Sequence, residues 1–176
     1  MMEHKAFIFD FDTFERELQP LLEEALVSGD TKGLIAFVND NLGDLKDPYE
    51  GQPLEVDWEA MIETADAHQY GDFALTKYYD PLKDIGIGVE WENVQDLISS
   101  DPDLPESPIL GRTVGPSKVP FDPGKLGSYF QSLDQVRQNH QCLLNLAKKG
   151  RPTDFDRPVQ MLAEAENAKR GLYVTF

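Results

Sequence analysis

Cysteine is almost absent from this chain. Cys142 stands alone, so no intrachain disulfide can form and a reducing, cytoplasmic setting is expected. Long apolar runs are missing, and none approaches the roughly 20 residues of a membrane-spanning helix. The apolar stretch Ala6–Phe9 stops at Asp10, too short for the core of a signal peptide. Histidine occurs only at His4, His68 and His140, with no cysteine or carboxylate at zinc-ligand spacing. There is no G-x-S-x-G elbow. Gly86 and Gly88 lack the third glycine of a nucleotide-binding turn and are better explained by close approach of a neighbouring backbone. No motif implies a cofactor.

Positive charge is scarce in one part of the chain. Residues 1–100 hold 23 Asp and Glu against 6 Lys and Arg, a net of −17. Residues 101–176 hold 9 against 10, a net of +1. Between Lys46 and Lys77 no Lys or Arg occurs at all. A net charge of −16 repels nucleic acid and anionic lipid, which excludes direct binding to either as the expected function. Ten Phe and 40% hydrophobic residues in 176 argue for one packed domain rather than a disordered acidic tail.

The periodicities predict a helix-rich α+β domain over residues 1–176. In residues 5–12, Phe7, Phe9 and Phe11 alternate with Ile8, Asp10 and Asp12, predicting a strand with one buried face. Asp12 and Glu15 have capping-box spacing, and Pro20 should kink or break the helix that follows. Asp30 is expected to cap a second helix. Asp57 is expected to cap a third, with Trp58, Met61, Ile62 and Ala65 inward and Glu59, Glu63 and Asp66 outward. Residues 84–91 read as a short strand, and Trp91–Ile98 begins a helix with Glu92 and Asp96 facing out. Six prolines between Asp101 and Gly124 predict a long surface loop dividing the acidic part from a nearly neutral helical part. Helices are expected over about 126–149, with His140 in its apolar stripe and Lys148, Lys149 and Arg151 at its end, and over about 158–170. LYVTF at 172–176 reads as a strand able to pair with the first one.

Two segments look like chemistry. FIFDFDTF at 7–14 resembles the D-x-D-x-T signature of haloacid-dehalogenase-like phosphatases, which would make Asp10 a nucleophile and Asp12 a general acid with Mg²⁺. Thr13 stands one place early, however, and Phe14 fills the threonine position. Asn39, Asn41, Asp47 and Glu50 fall at positions one, three, nine and twelve of an EF-hand loop, but Asp44 replaces its required glycine.

The expected function is therefore non-enzymatic. Like charges on one helix face give up the support of opposite-charge pairs, and in return they steer a basic protein partner. Small acidic inhibitors of basic nucleases or toxins, the immunity proteins among them, have this general character. The expected partner-binding residues are Glu59, Glu63, Asp66, Asp72, Glu92 and Asp96, with Trp58, Trp91, Tyr78 or Tyr79 as aromatic anchors where exposed. The alternatives are a Mg²⁺-dependent phosphohydrolase on Asp10 and Asp12, and an acidic domain whose charge serves solubility alone.

Overall fold

A computed structural model describes the chain except for residues 103, 105 and 151, and the side chain of residue 152. Strand β1 (Lys5–Phe9) and strand β2 (Ser128–Gln131) flank strand β3 (Gly171–Thr175), and both pair with it antiparallel. The register sets Phe7 opposite Tyr173 and Lys5 opposite Thr175. Period-two alternation sorts the side chains into two sets. Phe7, Phe9, Phe130 and Tyr173 point into one apolar cluster, and Ala6, Leu172 and Val174 into the other. Both faces of the sheet are therefore covered, where the alternation in β1 predicts only one.

Over the aromatic face lie helices α1 (Phe11–Glu17), α2 (Gln19–Ser28), α3 (Lys32–Asp40) and α4 (Ala67–Leu75), which contribute Phe14, Leu18, Leu22, Leu34, Val38 and Phe73 to its cluster. Asp10, not Asp12, caps α1, its carboxylate accepting from Thr13 N–H at 3.4 Å and Thr13 Oγ1 at 2.9 Å. The chain breaks at Leu18 and Pro20 opens α2, as proline in a first turn allows. Thr31 occupies the cap position of α3, and Asp30 instead accepts from Lys32 N–H. Over the other face lie α5 (Trp91–Ser99), α6 (Leu133–Lys149) and α7 (Asp156–Asn167), with Val94, Ile98, Val136, Leu143, Met161 and Leu162 buried.

The expected third helix does not form as one piece. A single 3-10 turn, Trp58–Met61, precedes α4, and Asp66 caps α4 by accepting from Gln69 N–H. Burying Trp58, whose Nε1–H donates to Asn39 Oδ1 at 2.9 Å, fixes the turn against α3 and leaves the chain free to redirect afterwards. Segment 84–88 is not a strand but does run beside β1: Ile85 N–H donates to Ala6 O, and His4 and Gly88 exchange both backbone bonds. Gly86 permits this approach, since a Cβ there would sit 2.2 Å from His4 O. The predicted helix start near 126 is occupied by β2. Ser132 then opens α6 with a capping box, its Oγ accepting from Gln135 N–H while Gln135 accepts from Ser132 N–H.

The proline-rich segment has no helix or strand among its described residues, as expected, but it is not confined to the surface. Ile109, Val114 and Phe121 are buried, and Arg112 pairs with Phe130 on the outer edge of β2. Pro105 of this segment and Arg151 after α6 lie outside the described residues. Among the described residues no helix is long and apolar enough to cross a membrane.

Candidate functional site

Of the candidate phosphatase pair, Asp10 is occupied with structural work. Asp10 holds the start of α1 and its Oδ1 lies 3.3 Å from the Arg170 guanidinium, while Asp12 is exposed. The space beside them is about 10 Å³, at the limit for a single water and far short of a phosphate ester. The EF-hand-like residues do not converge. Asn39 accepts from Trp58, Asn41 donates to Phe37 O, and Asp47 Oδ1 accepts from Tyr49 and Glu50 N–H in a local turn. Among the described residues no group of three His, Cys, Asp or Glu could hold a metal ion.

The expected binding carboxylates are dispersed over four settings. Glu59 and Glu63 are exposed on and after the 3-10 turn, together with Glu55 and Asp57 just before it. Glu92 and Asp96 are exposed on α5, the outward face predicted for them. Asp66 is half-buried and committed to its cap. Asp72 is a correction: it does not face solvent but is 5% exposed, on the inner face of α4. Gly71, Phe73, Ala74 and Leu75 around it are also buried, so the helix enters the core and takes the carboxyl with it. Of the expected aromatic anchors, Trp58 and Tyr78 are buried and Trp91 is half-buried, its Nε1–H donating to Met2 O. Tyr78 OH donates to Glu17 Oε2 at 3.0 Å, beside the Lys77–Glu17 ion pair.

Tyr79 is different, because it shares a pocket with Asp72. The pocket measures about 250 Å³ and opens at the end of the sheet where β1 begins and β3 ends. Phe7, Tyr79 and Tyr173 form one wall, with ring centroids 4.9 Å apart for Phe7–Tyr79 and 5.2 Å for Tyr79–Tyr173. Tyr49, 67% exposed, stands at the mouth on the turn 47–52, its phenol close enough to the Asp72 carboxyl for each to act on the other. Pro48, Pro81 and Pro123 restrict the backbone around it. Lys5 and Asp84, both exposed, complete the rim.

Burial pushes the Asp72 carboxyl up to about 7; the neighbouring Tyr49 hydroxyl opposes that rise and the Asp47 charge adds to it. No Lys or Arg pairs with Asp72 among the described residues. Its charge falls instead on three phenols. Tyr49, exposed though it is, is raised to about 12 by partial desolvation of its phenol and then by Asp72. Tyr79 and Tyr173 are held well above the ordinary phenol range by burial, with Asp72 adding to it. All three remain protonated at neutral pH. The pocket thus combines one carboxyl near its midpoint of ionisation with neutral aromatic walls. It can hold a cation or exchange a proton.

Sequence reasoning missed Tyr49 and Tyr173 and misplaced Asp72. One signal was present: a lone carboxylate inside the otherwise apolar run YGDFAL at 70–75. A larger cleft of about 800 Å³ separates α5 from the start of α7, floored by Ile87, Val94 and Pro158. The Asp72 pocket is set apart from it by a carboxyl withdrawn from water. No known protein-family model, no curated protein and no solved structure matches this chain.

Proposed function

We propose that the protein acts in the cytoplasm by binding a basic protein partner through the surface of residues 47–66, in the manner of an inhibitor or immunity protein. One observation carries this reading. Glu55, Asp57, Glu59 and Glu63 are exposed and enter no ion pair among the described residues, and Val56 (87% exposed) and Met61 stand exposed between them. Carboxylates of one sign raise the rate of encounter with a basic surface, and exposed apolar groups supply contact area once water leaves. Val56 and Met61 thus place apolar contact area directly beside the unpaired charges. Glu63 also lies close enough to act on the Tyr49 phenol, so this acidic arc runs to the mouth of the Asp72 pocket.

The test is capture from host lysate with the wild type and with a triple variant, Glu55→Lys, Glu59→Lys and Glu63→Lys. The reading expects a basic protein retained by the wild type at low ionic strength, released at high ionic strength, and not retained by the variant. Equal retention by both, or none by either, makes the charge a matter of solubility.

A further inference from the structure

Asp72 poses a problem that its own chain leaves unsolved. Its carboxyl is withdrawn from water and has no cationic partner among the described residues, and the Tyr49 phenol is the polar group beside it in the pocket. A buried carboxylate without a counter-charge is costly, and natural proteins pair it. Here the space next to it is open. The cavity of about 250 Å³ is lined by Phe7, Tyr79 and Tyr173, whose ring faces carry the negative end of the aromatic quadrupole. Anions are repelled by Asp72 and by Asp84 at the rim, and a neutral apolar guest would leave the carboxyl unpaired. The volume is below the range of drug-sized sites, which suits a headgroup rather than a whole metabolite.

We propose that this pocket receives an alkylammonium group, primary or N-methylated, with its charge against the Asp72 carboxylate and its carbon atoms against Phe7, Tyr79 and Tyr173. Tyr49, beside Asp72 and exposed at the mouth, closes the near side. Among the described residues Lys5 is the only cationic one lining the pocket, and it works against the guest. The ammonium comes either from a free small amine or from a lysine side chain of a protein partner. The inference stands on the pocket and does not require the acidic surface to bind anything.

The experiment is calorimetric titration of the full chain at pH 8 with choline, with n-butylammonium and with 3,3-dimethylbutan-1-ol, a neutral shape-mimic of choline. Saturable binding of at least one cation is expected, with the neutral mimic at least about tenfold weaker. Asp72→Asn should weaken the cation about tenfold or more without affecting the neutral mimic, and Lys5→Gln should strengthen it. No saturable cation binding, equal binding of the neutral mimic, or undiminished binding by a folded Asp72→Asn overturns the proposal. Should Asp72→Asn fail to fold by circular dichroism, the cation-over-neutral preference of the wild type and its loss in Tyr79→Leu decide. Two further arms separate the sources. If lysine of a partner is the natural guest, N-acetyl-lysine amide binds and choline displaces a captured partner; if a free amine is, choline binds and leaves that capture unchanged. Success here with failed capture from lysate retires the partner reading alone, and the reverse result retires the pocket alone.

Discussion

His4 and Ile109, 105 positions apart in sequence, are joined by a buried contact of 2.7 Å between His4 Nε2 and the Ile109 carbonyl oxygen. The opposite ring nitrogen, Nδ1, accepts from Ile87 N–H at 3.2 Å. A carbonyl only accepts and a backbone N–H only donates, so the ring must be neutral with its proton on Nε2. One side chain thereby ties β1 to segment 84–88 and to the proline-rich stretch. His4→Leu should cost roughly 2–4 kcal/mol, because it leaves two buried backbone groups unpartnered. Urea unfolding midpoints measure it.

The same contact predicts an acid limb in stability. Burial lowers the His4 pKa from its ordinary value, with the Ile109 bond and Asp84 opposing. The unfolded chain then takes up a proton at pH values where the folded ring stays neutral. Stability is full above about pH 6.5 and falls as pH drops below it toward the folded pKa. His4→Leu should flatten that limb in denaturant titrations run from pH 7 to pH 5.

Asp72 acts in the opposite direction. Its pKa of about 7 means the folded chain keeps a proton that the unfolded chain has released. The stabilising effect of that proton is full below the ordinary carboxylate range near pH 4 and is lost as pH rises through about 7. Asp72→Asn should therefore gain stability relative to the wild type on going from pH 5 to pH 8, by roughly 2–3 kcal/mol, since about two pH units of the rise lie above pH 5. A constant difference across that range would mean that the carboxyl is ionised throughout.

Reversing Glu55, Glu59 and Glu63 to Lys should leave the fold intact. These side chains are exposed and unpaired among the described residues, so each change is expected within about 0.5 kcal/mol. Thermal unfolding checks this, and an intact fold is what allows the capture experiment to be read as a surface effect.

Gly86→Ala should loosen one edge of the sheet. The added Cβ would meet His4 O at 2.2 Å and Lys5 Cα at 2.7 Å, both of them backbone atoms that cannot swing aside. The bonds from Ile85 N–H to Ala6 O and between Gly88 and His4 then lengthen. Amide exchange of Ile85 and Gly88 should accelerate well before that of α6.

What the sequence made legible was local and periodic. β1, the kink at Pro20, α5, α7 and the pairing of the terminal strands all follow from alternation, helical stripes and proline. β2 was hidden because Ser128–Gln131 is only four residues long and leads straight into the α6 stripe. The stretch from Trp58 to Asp66 has helical periodicity, yet tertiary burial of Trp58 against Asn39 ends its first turn. The site was illegible for a related reason. Tyr49, Asp72, Tyr79 and Tyr173 come from a turn, a helix, a loop and a strand, and only the sheet register and the course of α4 bring them together. Exposure of a carboxylate cannot be read from its charge when the helix bearing it turns inward.

The position of β3 between β1 and β2 has a consequence for how the molecule assembles. Neither outer strand pairs with the other, and both bond to a middle strand that follows them in the sequence. No hairpin is available as a local starting point, so every ladder closes a long loop at an entropic cost set before any contact rewards it. The sheet should form late and in a single concerted step, after the helices have begun to collapse. Refolding is then expected on the slow side for a domain this helical, and a chain cut before Gly171 should retain helix while losing all of its sheet.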